Sequence, residues 1–198
     1  MPSSLPRIYL ARHGETAWSA TGQHTGHTDL PLTPRGEECA RRLGGRLQGL
    51  SFGQVWVSPL QRARRTSELA GFVGSATIEP DLAEWNYGSY EGRRTADIRQ
   101  ERPDWQLFRD GCPGGETIEQ VATRADHVIA RLRALNSDAL LFAHGHILRV
   151  LAARWLGLEP QAARYFLLST AAVCILSYEH SASEPAIQLW NDVHHVPT

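Results

Sequence analysis

Apolar residues in this chain fall into short unbroken runs separated by stretches of helical period, and that alternation predicts an α/β fold. Ile8-Tyr9-Leu10-Ala11, Val55-Trp56-Val57 and Ala139-Leu140-Leu141-Phe142-Ala143 are continuous apolar runs of strand length, the pattern of strands covered on both faces. After the first run, residues 14–32 hold no sustained period and read as a short helical turn followed by a loop. Thr33-Pro34 then offers an N-cap and an N1 proline, and Ala40, Leu43, Leu47 and Leu50 recur at helical spacing with Arg41, Arg42 and Arg46 on the wet side. Ser58-Pro59-Leu60-Gln61 reads the same way, with Ser58 as N-cap and Gln61 placed for a capping box, so Arg62 belongs to the first turn of a helix. Residues 78–82 are short and extended. Thr117 opens a helix through Val121, Ala125, Val128, Ile129 and Leu132, and a helix carrying Ile147, Leu148, Leu151, Ala152 and Trp155 follows the third strand. Val173 to Tyr178 is a further strand, Ile187 to Trp190 an edge strand, and the tail from His194 is expected to fray.

Strands alternating with helices call for a three-layer α/β/α sandwich with a mostly parallel central sheet, here with an antiparallel edge strand. A chain of 198 residues that is 42% hydrophobic suits one domain spanning residues 1–198. The net charge of -1 gives no electrostatic reason to expect nucleic acid or an anionic membrane as partner. No apolar run approaches a membrane span, and the first residues lack the charged and apolar regions of a signal peptide. Cys39, Cys112 and Cys174 are odd in number and far apart, which argues for reduced thiols in a cytoplasmic protein.

The chemistry gathers at strand ends. One apolar run leads into Arg12-His13-Gly14, a second into Ser58 to Arg62, and a third into His144-Gly145. In open α/β sheets ligands bind at the C-terminal edge of the strands. Helix N-termini present free N–H groups and a positive dipole end, so an edge that gathers several of them with two arginines is an anion site, with phosphate the natural ligand.

Arg12-His13-Gly14-Glu15-Thr16, Ser58-Pro59-x-x-Arg62, Glu84-x-x-Tyr87-Gly88 and His144-Gly145, in that order, resemble the histidine phosphatase superfamily, which includes the cofactor-dependent phosphoglycerate mutases and many small phosphatases. Thr25-Gly26-x-Thr28-Asp29, Glu84-Trp85-Asn86-Tyr87, Arg109-Asp110-Gly111-Cys112 and Phe142-Ala143-His144-Gly145-His146 are most similar to its sedoheptulose bisphosphatase-like and broad acid phosphatase members. The resemblance implies a phosphomonoester hydrolase acting through a phosphohistidine. His13 is then the nucleophile, since a neutral imidazole is not repelled by a phosphate dianion. Arg12, Arg62 and His144 hold the transferring phosphoryl group, and Glu84, placed by the resemblance, protonates the leaving alkoxide. Ser19, Thr25, Tyr87, Arg109 and Gly145 would bind the rest of the substrate, while His146, Asp29 and Glu15 read as structural, with His146 also a candidate for substrate contact.

Glu84 is followed by Trp85 where the mutases carry arginine, and Ser19 stands where they carry asparagine, which removes groups that hold a substrate carboxylate and favours hydrolysis. A cofactor-dependent phosphoglycerate mutase is the nearest alternative, and a catalytically silent phosphate-binding or scaffold protein is an alternative of another class. A metal-dependent phosphatase built on His144, His146, Asp29 and His24 or His27 lacks the carboxylate-rich cluster of hydrolytic metal pairs, so neither metal nor other cofactor is expected. The expected partner is a small phosphomonoester such as a sugar phosphate or bisphosphate, with a second copy of the chain as a homodimer.

Overall fold

The computed structural model describes residues 5–197. Six strands, β1 (Ile8–Arg12), β2 (Gln54–Val57), β3 (Thr77–Ile78), β4 (Ala139–Ala143), β5 (Val173–Tyr178) and β6 (Pro185–Asp192), form one sheet in the order β3-β2-β4-β1-β5-β6. The first four are parallel, β5 runs antiparallel to β1, and β6 antiparallel to β5. Arg12 is level with Ala143 and Val57 with Phe142, so β1, β2 and β4 end together. That register brings His13, Ser58 and His144, each the first residue past its strand, to one edge.

The helices are α1 (Ala17–Thr21), α2 (Pro34–Leu47), α3 (Gln61–Leu69), α4 (Thr95–Glu101), α5 (Leu107–Asp110), α6 (Ile118–Arg133) and α7 (Gly145–Trp155), with 3₁₀ turns at Pro80–Leu82, Gly88–Tyr90 and Pro160–Tyr165. Alternate strand residues point to opposite faces. Tyr9, Ala11, Val55, Val57, Leu140 and Phe142 pack with Leu43 and Leu47 of α2 and Ala63 of α3. Ile8, Leu10, Trp56, Leu141 and Ala143 pack with Val121, Val128 and Leu132 of α6 and Leu148, Leu151 and Trp155 of α7. The three layers follow from this division. The caps at Thr33 and Thr117 form as the sequence indicates: Thr33 accepts the Gly36 N–H, and Thr117 with Gln120 closes a capping box. Among the described residues no helix is long and apolar enough to cross a membrane.

Four local expectations fail. Ser58 does not cap α3, which starts at Gln61 after an extended Leu60 with no side-chain cap; the Ser58 Oγ accepts from the Leu60 N–H at 3.3 Å, ahead of the helix, and from His144. The segment 78–82 is only half extended, Thr77–Ile78 pairing with β2 before Pro80 turns the chain into a 3₁₀ turn. The edge strand runs from Pro185 to Asp192, longer than its apolar centre. The tail does not fray through residue 197: the His195 ring donates to the Ala171 carbonyl at 2.8 Å and Arg35 donates to the Pro197 carbonyl at 3.2 Å.

Candidate active site

At the shared strand edge lies a cavity of about 240 Å³ lined by Arg12, His13, Ser19, Gln23, His24, Thr25, Glu84, Tyr87, Thr95, Gly145, His146, Arg149 and Leu168, together with Gly22. His13 is held by both neighbouring strands' continuations. Its N–H donates to the Ala143 carbonyl at 3.0 Å and its carbonyl accepts from the Ala171 N–H at 3.0 Å. The ring Nδ1 donates to the Gly14 carbonyl at 2.7 Å, which leaves Nε2 as the nitrogen with the free lone pair. Burial, with Arg62 and Arg12 adding positive charge, holds this imidazole well below the usual histidine pKa. A neutral, oriented nucleophile results.

Arg12 donates Nη1–H to the Leu168 carbonyl at 2.5 Å, while its Nε is buried with no partner in the protein. Burial lowers its pKa, and guanidinium stays charged regardless. The backbone of Gly145 presses on this guanidinium so closely that a Cβ there would stand 3.3 Å from Cζ and Nε. A larger residue would need the guanidinium to give by a few tenths of an ångström.

Arg62 and His144 adjoin His13 but do not line the cavity. Both are fully buried, and the His13 and His144 ring centroids are 5.1 Å apart. Arg62 Nε donates to His144 Nδ1 at 3.0 Å, and its Nη atoms donate to the carbonyls of Thr25, Gly26 and Thr28 at 3.0, 2.9 and 3.2 Å. Since Nδ1 of His144 accepts, its Nε2 carries the proton and donates to Ser58 Oγ at 2.6 Å. Burial, then Arg62, His13 and Arg12, keep the ring well below its usual pKa. His144 is therefore neutral here, its tautomer set by the Arg62 donor.

Glu84 is 4% exposed and sits on the N-terminus of α7, where Oε1 accepts from Ile147 N–H at 3.0 Å and Trp85 N–H at 2.9 Å and Oε2 from His146 N–H at 2.9 Å. Its segment is clamped by Arg124, which bonds Glu116 bidentately and donates to the carbonyls of Asp81 and Ala83. Tyr87, also buried, is hydrogen-bonded through its hydroxyl to His146 Nδ1 at 2.5 Å. Burial and Glu84 raise the Tyr87 pKa well above its usual value, so the phenol keeps its proton.

Of the residues expected to bind the substrate, Ser19, Thr25, Tyr87 and Gly145 line the cavity. Arg109 does not. It is exposed, paired with Asp110 at 2.8 Å and bonded to the Asp104 carbonyl, because the short helix α5 turns it towards that surface. Asp29 is structural, accepting the Gln61 N–H at 2.8 Å at the start of α3. Arg149, Gln23 and Thr95 are cavity residues that the sequence reading missed, and His24, weighed there only as a metal ligand, lines the cavity too. Arg149 lies one helical turn beyond Gly145, a spacing that could have pointed to it. It donates to the carbonyls of Ala163 and Arg164, covers the Phe108 ring at 4.6 Å and has its pKa lowered to about 10 by burial, so it remains a cation at neutral pH.

A neutral imidazole with a free lone pair, a half-partnered guanidinium and a carboxyl group around one cavity suit transfer of an anionic group. An acid phosphatase of Mycobacterium tuberculosis is 40% identical over 185 residues, covering 91% of this chain and 91% of its own length. Sedoheptulose 1,7-bisphosphatase of Saccharomyces cerevisiae is 35% identical, covering 96% and 94%. A probable phosphoglycerate mutase of Photorhabdus laumondii is 33% identical, covering 97% and 95%. The solved structure of an open reading frame of Mycobacterium tuberculosis superposes with a TM-score of 0.89 at 39% identity, over 94% of this chain and 97% of that one. Residues 8–193 match the histidine phosphatase superfamily (branch 1), and the chain belongs to that family.

Proposed function

We propose that this chain hydrolyses small phosphomonoesters through a phosphohistidine on His13. The observation that carries this is the His13 ring: Nδ1 tied to the Gly14 carbonyl, Nε2 free, and the pKa depressed at a cavity that Arg12 also lines. Nε2 attacks phosphorus, the bond to the ester oxygen breaks, and protonated Glu84 gives its proton to the departing alkoxide. Arg12 faces the charge on the phosphoryl oxygens, its unpartnered Nε supplying a donor already in place. Water then attacks phosphorus, Glu84 takes its proton, and the bond from Nε2 to phosphorus breaks to release inorganic phosphate, which restores neutral His13 and protonated Glu84.

The cavity wall supports a polyhydroxylated leaving group. Ser19, Gln23, Thr25 and Thr95 offer neutral hydrogen-bonding groups, and Arg149 adds a cation for a second anionic substituent. Relatives named acid phosphatase and sedoheptulose 1,7-bisphosphatase agree with sugar phosphates or bisphosphates as the substrate class and with hydrolysis over the mutase alternative. With such metabolites as substrates, we place the chain in the cytoplasm.

Rapid quenching of a turnover mixture into base should trap acid-labile, base-stable phosphate on the chain, and His13→Ala should abolish both the trapped phosphate and turnover. Retained turnover in His13→Ala, or phosphoglycerate interconversion much faster than phosphate release, would overturn the proposal. A panel of phosphorylated metabolites assayed for released phosphate identifies the substrate.

A further inference from the structure

Glu91 lies outside the cavity, yet it is joined to the phosphoryl-transfer centre through a single peptide group. The chain after the 3₁₀ turn at Gly88–Tyr90 runs back along residues 23–26: Gly92 N–H donates to the His24 carbonyl at 2.8 Å and His24 N–H to the Arg93 carbonyl at 2.9 Å. This short antiparallel pairing carries the Glu91 carboxylate under the loop of residues 25–28. Glu91 Oε1 accepts from Gly26 N–H at 2.8 Å and Thr28 N–H at 3.1 Å. The opposite side of the loop belongs to Arg62, which donates to the carbonyls of Thr25, Gly26 and Thr28. The peptide between Thr25 and Gly26 thus gives its N–H to Glu91 and its C=O to Arg62, so carboxylate and guanidinium polarise the same amide from both ends.

The loop has no slack in which to reposition itself. A Cβ on Gly26 would stand 2.5 Å from the Trp85 carbonyl and 2.7 Å from Glu91 Oε2, and that Oε2 is buried without a partner. Glu91 is half-buried, and shielding one unpartnered carboxylate oxygen from water is costly for holding a loop alone, since neutral side chains can accept the same N–H bonds. Its negative charge has a use if it holds the fully buried Arg62 in place. Arg62 in turn fixes the His144 tautomer by donating to Nδ1.

We propose that Glu91 is a positioning residue of the phosphoryl-transfer centre, setting Arg62 through the Thr25–Gly26 peptide and His144 through Arg62. This rests on His13 being the nucleophile. The electrostatic surroundings give the idea a signed test. His13 faces Arg62 and Arg12, and His144 faces Arg62, His13, Arg12 and Arg124. Arg62 faces Glu84, Tyr87, Asp29 and Glu91. If Glu91 acted only through space, removing its negative charge would disfavour imidazolium and move the acid limb of kcat/KM to lower pH. If it positions Arg62, its loss lets the guanidinium draw away, imidazolium becomes easier to form, and the acid limb moves to higher pH.

The experiment is the pH profile of kcat/KM, with the trapped phosphohistidine counting active sites, for wild type, Glu91→Gln and Glu91→Asp. The expected result for Glu91→Gln is an acid limb raised by on the order of one pH unit, since each tenfold change in proton affinity is one unit. Glu91→Asp, which keeps the charge on a shorter stem, should show a smaller rise. In imidazole nitrogen spectra of Glu91→Gln, the fixed Nε2–H form of His144 should give way to a mixture of tautomers. A profile of unchanged shape in both variants, or a limb moved to lower pH, overturns the proposal. Should Glu91→Gln not fold, a Glu91→Asp limb identical to wild type overturns it. Failure of the underlying mechanism is distinguishable, because wild type itself would then leave no phosphohistidine.

Discussion

Replacing Glu84 by glutamine separates the chemistry of this residue from its structural work. Three backbone N–H groups converge on the carboxylate, two on Oε1 and one on Oε2. Glutamine keeps one acceptor oxygen, best used at the Oε1 position, and sets its NH₂ against the His146 N–H. One buried donor then loses its acceptor, at a cost of about 1–3 kcal/mol. For a domain of this size each kcal/mol lowers Tm by roughly 2–4 °C, so Tm should fall by about 2–12 °C while the fold persists. The catalytic loss is separate and depends on the leaving group. An alkoxide needs a proton as it departs, and a missing general acid costs about 10²–10⁴-fold. A nitrophenolate departs without one. The quantity to compare is kcat/KM, which ends at release of the leaving group and so excludes the later hydrolysis step in which Glu84 acts as base. For Glu84→Gln, kcat/KM should fall about 10²–10⁴-fold on an alkyl phosphate and less than about tenfold on p-nitrophenyl phosphate. Equal losses on both substrates would falsify the assignment of Glu84 as general acid.

Arg149→Ala should reduce kcat/KM for a sugar bisphosphate at least about tenfold more than for p-nitrophenyl phosphate, because only the former offers a second anion, and one charge-assisted hydrogen bond contributes about 1.5–3 kcal/mol; equal losses would remove Arg149 from substrate recognition. Arg109→Ala should leave kcat/KM within about twofold of wild type, as befits an exposed, rim-type ion pair, and a tenfold loss would return Arg109 to the site. Burial depresses the His24 pKa to about 4. Its unfolded form takes up a proton near pH 6.5 and its folded form only near 4, so stability is complete above 6.5 and is lost as pH falls through that window. The loss from His24 is on the order of 3 kcal/mol, and denaturant titrations of His24→Asn should show a correspondingly flatter pH dependence between 6.5 and 4; an unchanged slope would refute the assignment.

Features governed by neighbours in sequence were legible, and those governed by distant partners were not. The apolar runs at residues 8–11 and 139–143 sit where the pattern puts them, and Thr33 and Thr117 cap their helices because a cap and its target N–H lie within three residues. Arg12, His13 and Gly145 converge on one cavity because the parallel strands β1 and β4 end together, and Glu84 joins them by accepting the N–H groups at the start of α7. Ser58 carries a convincing cap signature, but its hydroxyl oxygen accepts from the Leu60 N–H ahead of the helix and from a histidine 86 positions away. Arg109 is the exception, a residue the resemblance put in the pocket although its partner Asp110 stands next to it in sequence. Arg149 looks like any helix-surface arginine until α7 is packed against the 3₁₀ turn at Pro160–Tyr165, whose Ala163 and Arg164 carbonyls it bonds. Arg124 and Glu116 form an ion pair eight residues apart whose purpose, fastening the Glu84 segment, is visible only once Asp81 and Ala83 fold over it.

The nucleophile's backbone is hydrogen-bonded on both sides, to Ala143 and to Ala171, whereas much of the cavity wall comes from Ser19 to Thr25, Thr95 and Leu168, outside the sheet. Part of that wall is fastened to the reactive centre, since Leu168 and Thr25 give their carbonyls to Arg12 and Arg62, whereas the side chains of Ser19, Gln23 and Thr95 bond to neither guanidinium. Exchanging those three side chains therefore changes what the cavity offers a leaving group without touching the anchors of the cations. One phosphoryl-transfer core can serve a diverse set of leaving groups, with selection acting on the rim while the strand edge beneath it stays fixed.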